Sequence, residues 1–531
     1  MPTEPTDHVH RLVRSMSRPE KRYFKLYVAR HSVNGQTIQS DLFDAIAAME
    51  VYDEQALHRK FAGATFMNRF TVTKHRLYDS LLASLEAFHA DSSIDARLRR
   101  TLHQTEILYQ RGLHADAERM LRGVRTLAEQ HGRYPVLLDV AEWERRLLER
   151  NNYEKVHEAD LLAMAQRHTE VQELLDEAEQ LWQLKSRSFM LLYRAGKARS
   201  ADRAAELRTL LDHPLLQDSA RPATPKARYM HHHIRSAITF ALNDMVACEQ
   251  QLALNLSLLR DEPDHFKDEP NLRLSVLSNL AYVRMRLGRF SEALEGLQEF
   301  KRTPALLPSS PTADLEVKLF AMGASLELTV LCRMGEFEEA VDKLEAIEEG
   351  IQRFNTDLSV IRKAGIRFQG AWACFGAGRY DMASRWCQHL LNERGIEQYA
   401  EVHSLGRLLE LLILLETGKE DLLKYAVRNV ERFLRVHDRL HGFEQTVVRY
   451  AKARLAAHSP SAHQEAHAVL ADALMALEAD ALEHAVFDHF DPLCYALAKV
   501  RNERMDQVAV ERARTLRKAG ADEAAAKDRA A

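Results

Sequence analysis

The chain has 531 residues, 46% of them apolar and 28% charged, with 20 Gly and 14 Pro. Those Gly and Pro make up about 6% of the chain, half the usual ~12%, which argues against turn-rich sandwiches and barrels and against disordered or collagen-like chains. Its 73 basic and 77 acidic residues leave a net charge of −4, so no global field favours nucleic acid or an anionic membrane.

The first residues, Met1 to Asp7, are acidic and precede no apolar run, so no signal peptide is expected. Ser17 and Glu20 form a capping box with Pro19 in the first turn, which predicts a helix to about His31. Further helices are expected near 38–50, 53–62 and 69–90, giving a helical N-terminal module over residues 1–90. Residues 8–31 hold seven basic residues against one acidic, interleaved with Tyr23, Phe24 and Tyr27. Over residues 1–90 the balance falls to 12 against 10, and Arg59 stands where a helix-turn-helix packs a small residue before Gly63.

From 91 to 490 one turn recurs. A helix ends at Gly288, Gly335 or Gly378, and an aromatic follows two residues later at Phe290, Phe337 or Tyr380. Small or apolar residues then return at +3, +7 and +10: Ala293, Leu297 and Phe300; Ala340, Leu344 and Ile347; Ala383, Cys387 and Leu390. That spacing draws one stripe along a second helix, and the Gly supplies a left-handed cap for the first. The same turn fits at Gly112, Asn243 and Gly418, and more loosely at Asn152, Gly196 and His458-Ser459-Pro460. Taken in order, the nine turns are 40 to 47 residues apart, a period near 43. Prolines at 214, 222, 225, 263, 270, 304, 308 and 311 mark longer loops between hairpins. Residues 491–518 read as one C-terminal capping helix, and 519–531, without large apolar residues, as a disordered tail.

These units resemble tetratricopeptide repeats, chiefly over 277–390, through Leu280, Ala281, Gly288, Phe290 and Ala293 and their counterparts Gly335, Phe337, Ala340, Gly378, Tyr380 and Ala383. They depart from that family in a period longer than its ~34 residues, in Leu277, Ala324 and Arg367 at its early Trp, and in lacking its terminal Pro. The opening from Ser15 is also similar to bacterial helical-repeat proteins. The resemblance implies an all-α, TPR-like superhelix of about nine hairpins with a helical N-terminal cap, whose concave surface binds protein.

Chemistry-bearing patterns reduce to solvated helix-face histidines and to packing. In His463-Gln464-Glu465-Ala466-His467 the Glu is one place too late for a zincin, and His437 with His441 lacks a third ligand. His231, His232 and His233 point in three directions around a helix. The five cysteines sit on stripes or near turns and read as buried packing residues in a reducing compartment. Gly376 and Gly378 belong to a repeat turn, since Asp381 replaces the third Gly of a dinucleotide fingerprint. No metal, cofactor or catalytic constellation is expected.

Arg194, Arg286 and Arg333 stand two residues before a turn Gly, and Arg150 two before Asn152. By the resemblance this place borders the concave groove, where an arginine ladder would bind an acidic peptide or C-terminal carboxylate. The same arginines also complement the helix dipole. Asn279 and Tyr282 fall on the same face; Trp372 and Phe375 lie near it but read as core. The expectation is a cytoplasmic, non-catalytic scaffold or adaptor with Arg194, Asn279, Tyr282, Arg286 and Arg333 as partner contacts and no membrane role. Reversing Arg286 and Arg333 is expected to weaken an acidic partner without unfolding the chain. The alternative is a transcriptional regulator with a DNA-binding N-terminal module and a TPR-like sensor region.

Overall fold

The computed structural model describes residues 7–30, 38–91, 93–154, 156–195, 201–218, 222–306, 313–480 and 483–530. Among the described residues every regular element is a helix. The chain divides into two units, Met1–Gln172 and Glu173–Ala531.

The first unit opens with a helix the sequence reading does not include, His8–Ser15, followed by Arg18–Arg30, Ile38–Ala47, Glu54–Lys60 and Phe70–Phe88, within two or three residues of the spans the sequence predicts. The capping box forms as expected: the Ser17 amide donates to Glu20 Oε2 at 2.6 Å, and the Glu20 amide donates to Ser17 Oγ at 3.4 Å. Val9, Val13, Phe24, Phe43, Ile46 and Leu77 build the core of this bundle. Phe24 is therefore a core residue, packed at a tilt against Phe43 at 4.7 Å between ring centroids, and not an aromatic offered to a nucleic acid. Lys74 ties the ends together, its ammonium reaching Asp7 at 2.5 Å, Glu54 at 2.9 Å and the Tyr52 hydroxyl at 2.9 Å. The helices Ile94–Gln110 and His114–Gln130 follow as a hairpin, then Tyr134–Arg150.

The helix Glu158–Ala195 runs 38 residues without interruption. A period of 43 calls for a break near its middle, between the turns at Asn152 and Gly196. The segment holds neither Gly nor Pro and is rich in Leu, Glu, Gln and Ala, so nothing stops the helix from propagating.

The second unit continues with antiparallel pairs. Pro225–Ala241 packs on Met245–Asp261, Pro270–Arg286 on Phe290–Arg302, Val360–Gly376 on Tyr380–Leu391, and Ala400–Glu416 on Glu420–Val436. Ala313–Met334 pairs with Phe337–Asp342, which runs on after Lys343 as Leu344–Arg353. From Pro270–Arg286 onward each first helix also touches the first helix of the next pair. Many of these helices are 17 residues long, which accounts for a period above 40.

Most of the predicted turns are left-handed: Gly112, Gly288, Gly335, Gly378 and Gly418 have φ between 65° and 83°, and Asn152 and Asn243 take 50° and 62°, whereas the turn at His458-Ser459-Pro460 is extended, with Ser459 at φ −132°. Gly196 lies outside the described residues. The second-helix stripes are buried as the spacing requires, with Ala293, Ala340 and Ala383 fully enclosed beside Phe300, Leu344 and Leu390. Each large side chain so enclosed contributes roughly 1.5–3 kcal/mol. The linker prolines do different work from that expected: Pro214, Pro225, Pro263 and Pro270 sit in the first turn of helices, where the missing amide costs nothing. Pro308 and Pro311 lie outside the described residues.

The C-terminal reading needs two corrections. Asn502, at φ 55°, splits the single capping helix into Pro492–Arg501 and Met505–Ala530. The second of these carries the expected tail as helix through Ala530.

Candidate functional site

The residues singled out by sequence cluster on the first helices of the second unit, and a short segment of the chain's own C-terminal region meets them there. This strap comprises the 3-10 helix His484–Asp488 and the residues to Asp491. Phe487 and Phe490 are fully buried, and Phe490 packs edge-on against Phe368, Trp372 and Phe443. Gln369 Nε2 donates to the His489 carbonyl at 3.1 Å.

Two members of the arginine ladder, Arg286 and Arg333, hold this strap. The Arg286 guanidinium pairs with Asp488, and its other nitrogen donates to Asn243 Oδ1 at 3.3 Å. Tyr282 donates its hydroxyl to the same Asp488 carboxylate at 3.2 Å, and burial beside that carboxylate pushes its pKa up. Arg333 donates to the Phe487 carbonyl at 3.1 Å and to Asp491 at 3.3 Å. Arg512, from the final helix, bridges Asp491 at 3.1 Å and Glu478 at 2.5 Å. The acidic groups expected of a partner are thus supplied from within the chain. The side chain of Arg194 lies outside the described residues, and Arg150 is exposed in the first unit. Trp372 and Phe375 are buried and stacked on each other, as the core reading has it.

Beside the strap the same helices line a half-open cavity of about 610 Å³. Phe189, Leu192, Phe240, Leu252, Met322 and Leu326 give it an apolar lining, and Tyr282 and His489 border it on the strap side. Asn279 lines it and is exposed, while Ile361, Arg362 and Gly365 contribute from the start of Val360–Gly376. His233, between Phe189 and Tyr229, is driven by burial to a pKa of about 4 and is a neutral lining group at ordinary pH.

The other histidines are engaged separately. His231 Nδ1 lies 2.9 Å from the Leu215 carbonyl and His232 Nδ1 2.8 Å from Gln251 Oε1. His467 Nδ1 is 3.0 Å from the Tyr450 hydroxyl, and His463 Nε2 is 3.0 Å from the Ala457 carbonyl. Among the described residues no three His, Cys, Asp or Glu side chains converge as a metal site. All five cysteines are buried free thiols, and desolvation raises Cys374 to about 12 and Cys332, Cys387 and Cys494 further. They are held as thiols, not as reactive thiolates. Among the described residues no helix is long and apolar enough to cross a membrane.

Comparison with family models, with curated proteins and with solved structures gives no match.

Sequence reasoning overlooked Asp488, His489, Asp491 and Arg512. A usable signal was present: Phe487-Asp488-His489-Phe490-Asp491 repeats a Phe-Asp pair three residues apart. In a chain whose apolar residues otherwise follow helical spacing, such a knot marks a segment that buries aromatics and carboxylates together.

Proposed function

We propose that the chain is a non-catalytic interaction scaffold, a TPR-like superhelix whose concave face binds a protein or peptide partner. The observation that supports this reading is the shared cavity. Four successive first helices, from Pro225–Ala241 to Val360–Gly376, contribute lining to one concavity, as stacked hairpins do when they curve around an inner face. Asn279 and Tyr282 are the partner contacts retained from the sequence reading. Arg286 and Arg333 act indirectly by fixing the strap that bounds the face. The acidic partner thereby loses its main argument, and an apolar contact surface takes its place.

The test is affinity purification of the full chain from its native cell, wild type against Asn279→Arg. Partners captured by the wild type and lost with the variant, at unchanged thermal stability, support the concave-face reading. Partners retained in full by the variant, or captured equally by the first unit alone, overturn it.

A further inference from the structure

Two features of the cavity constrain what can fill it. The first is that several of its polar lining groups are already engaged. The Ser236 hydroxyl donates to the His233 carbonyl at 2.8 Å, the Ser278 hydroxyl to the Ser275 carbonyl at 3.0 Å, and the Tyr282 hydroxyl to Asp488. Cys248 Sγ lies 3.3 Å from the Ser236 carbonyl. An extended peptide threaded into this space would have to pair its amides with the side chains left, Asn279, Ser325 and His233 among them, and each amide left unpaired costs about as much as a lost hydrogen bond. A hydrocarbon chain has no such groups. The volume of about 610 Å³ falls within the ~300–1,000 Å³ of small-molecule sites.

The second feature is uncompensated positive charge at one side. Arg362 lines the cavity and, among the described residues, forms no ion pair. Lys318 is its electrostatic neighbour. Its ammonium donates to Asn271 Oδ1 at 3.1 Å and Ser275 Oγ at 3.3 Å, both neutral, while Asp314 acts on it from beyond ion-pair distance. Desolvation and the Arg362 charge together depress the Lys318 pKa, the mark of a cation short of anions. The helix Val360–Gly376 adds its positive end on the same side, where Ser359 makes no side-chain cap.

We propose that the cavity binds a small apolar molecule with an anionic head, in the class of long-chain carboxylates, its chain among Phe189, Phe240, Leu252 and Met322 and its head against Arg362 and Lys318. This goes beyond the scaffold reading and does not rest on it. A partner protein would use the exposed rim around Asn279, and the small molecule the space beneath.

The experiment is calorimetric titration of the purified full chain, below micellar concentrations, with dodecanoate and hexadecanoate, and with dodecanol and dodecylamine as neutral and cationic counterparts. The expected result is saturable binding of about one carboxylate per chain, with dodecanol weaker by about tenfold, the loss of one charge-assisted contact, and dodecylamine weaker still. Arg362→Glu, a change at an exposed side chain, is expected to weaken the carboxylates by at least ~10-fold and to leave dodecanol unchanged. Gly365→Phe is expected to abolish binding of all four, since a Cβ on Gly365 meets nothing within 4 Å and its ring would enter the cavity. Should Gly365→Phe not fold, Arg362→Glu carries the decision alone. Absence of saturable carboxylate binding, equal binding of dodecylamine, or carboxylate binding indifferent to Arg362→Glu would overturn the proposal. So would saturation by an acetylated leucine-rich pentapeptide with one Glu in place of any carboxylate, which would assign the cavity to the protein partner. Because no partner is present in this titration, its failure leaves the affinity-purification result standing, and the converse holds equally.

Discussion

Arg286 and Asp488 form an ion pair across 202 residues of sequence, with side chains only 7% and 3% exposed. The pair fastens the strap to the turn end of Pro270–Arg286. It also changes what a charge reversal should do. Removing one member leaves the other buried and uncompensated, which costs about 3–5 kcal/mol, whereas replacing both with apolar groups is close to neutral. Arg286→Glu should therefore destabilise the chain by that amount in urea unfolding, and Arg286→Met with Asp488→Leu should recover most of it. A reversal tolerated without loss of stability would show that the strap is not held this way.

The contrast between turns and strap explains what was readable from sequence. The hairpin turns were legible because each is local: Gly or Asn at a left-handed cap, then an aromatic and a stripe within ten residues. Gly378, Tyr380, Ala383, Cys387 and Leu390 all occupy the places that this spacing assigns. The role of Arg286 was not legible, because its partner lies far along the chain and no period connects them. The long helix Glu158–Ala195 was missed for the opposite reason: periodicity asked for a turn where local propensity supplied none. Asn502 was readable in principle, by the same rule that identified Asn243, but no aromatic or stripe follows it. The cavity depended on which side chains six separate helices bring together, and so had no sequence signature.

Three desolvated histidines make stability depend on acid. His233, His403 and His467 all have pKa values near 4 in the fold, chiefly through desolvation. Neighbouring cations add to it: Lys185 at His233, Arg407 and His437 at His403, and Arg454, Lys499 and His463 at His467, against Glu397 at His403 and Glu416 at His467. Once unfolded, each returns toward ~6.5. Between those values the unfolded chain binds more protons than the folded one, so stability is full above pH ~6.5, falls as the pH drops to ~4, and levels off below. Urea midpoints measured from pH 7 to pH 4 should decline over this window, and His467→Phe should flatten the decline. A midpoint that stays constant from pH 7 to pH 5 would contradict these assignments.

Two glycines of one helix should respond oppositely to the same substitution. Gly365 and Gly370 both lie within Val360–Gly376. A Cβ at Gly365 meets nothing within 4 Å, so Gly365→Ala should stabilise the chain by about 0.5–1 kcal/mol through the better helix former. At Gly370 the added carbon would stand 2.6 Å from the Trp386 ring, which belongs to the paired helix Tyr380–Leu391. Gly370→Ala should force the two helices apart and destabilise by roughly 1–3 kcal/mol. Thermal denaturation of the two variants checks this, and equal shifts in one direction would refute the pairing of these helices.

Gly288 and Gly378 occupy the same turn in different hairpins, yet only one is covered. Both take a positive φ, 70° and 71°. Either one replaced by Ala meets the left-handed penalty of about 1–2 kcal/mol, while Asn, which the chain itself uses at 243, tolerates the conformation better. At Gly378 no atom lies within 4 Å of an added Cβ, so Gly378→Asn should be nearly silent. At Gly288 the backbone nitrogen of Arg517 would lie 2.5 Å from that carbon, because the final helix crosses the turn. Backbone cannot rotate aside as a side chain can, so Gly288→Asn must lift Met505–Ala530 from its seat. The expected result is faster amide exchange throughout 505–520 in Gly288→Asn and unchanged exchange there in Gly378→Asn. Identical exchange in the two variants would mean that the final helix does not rest on this turn.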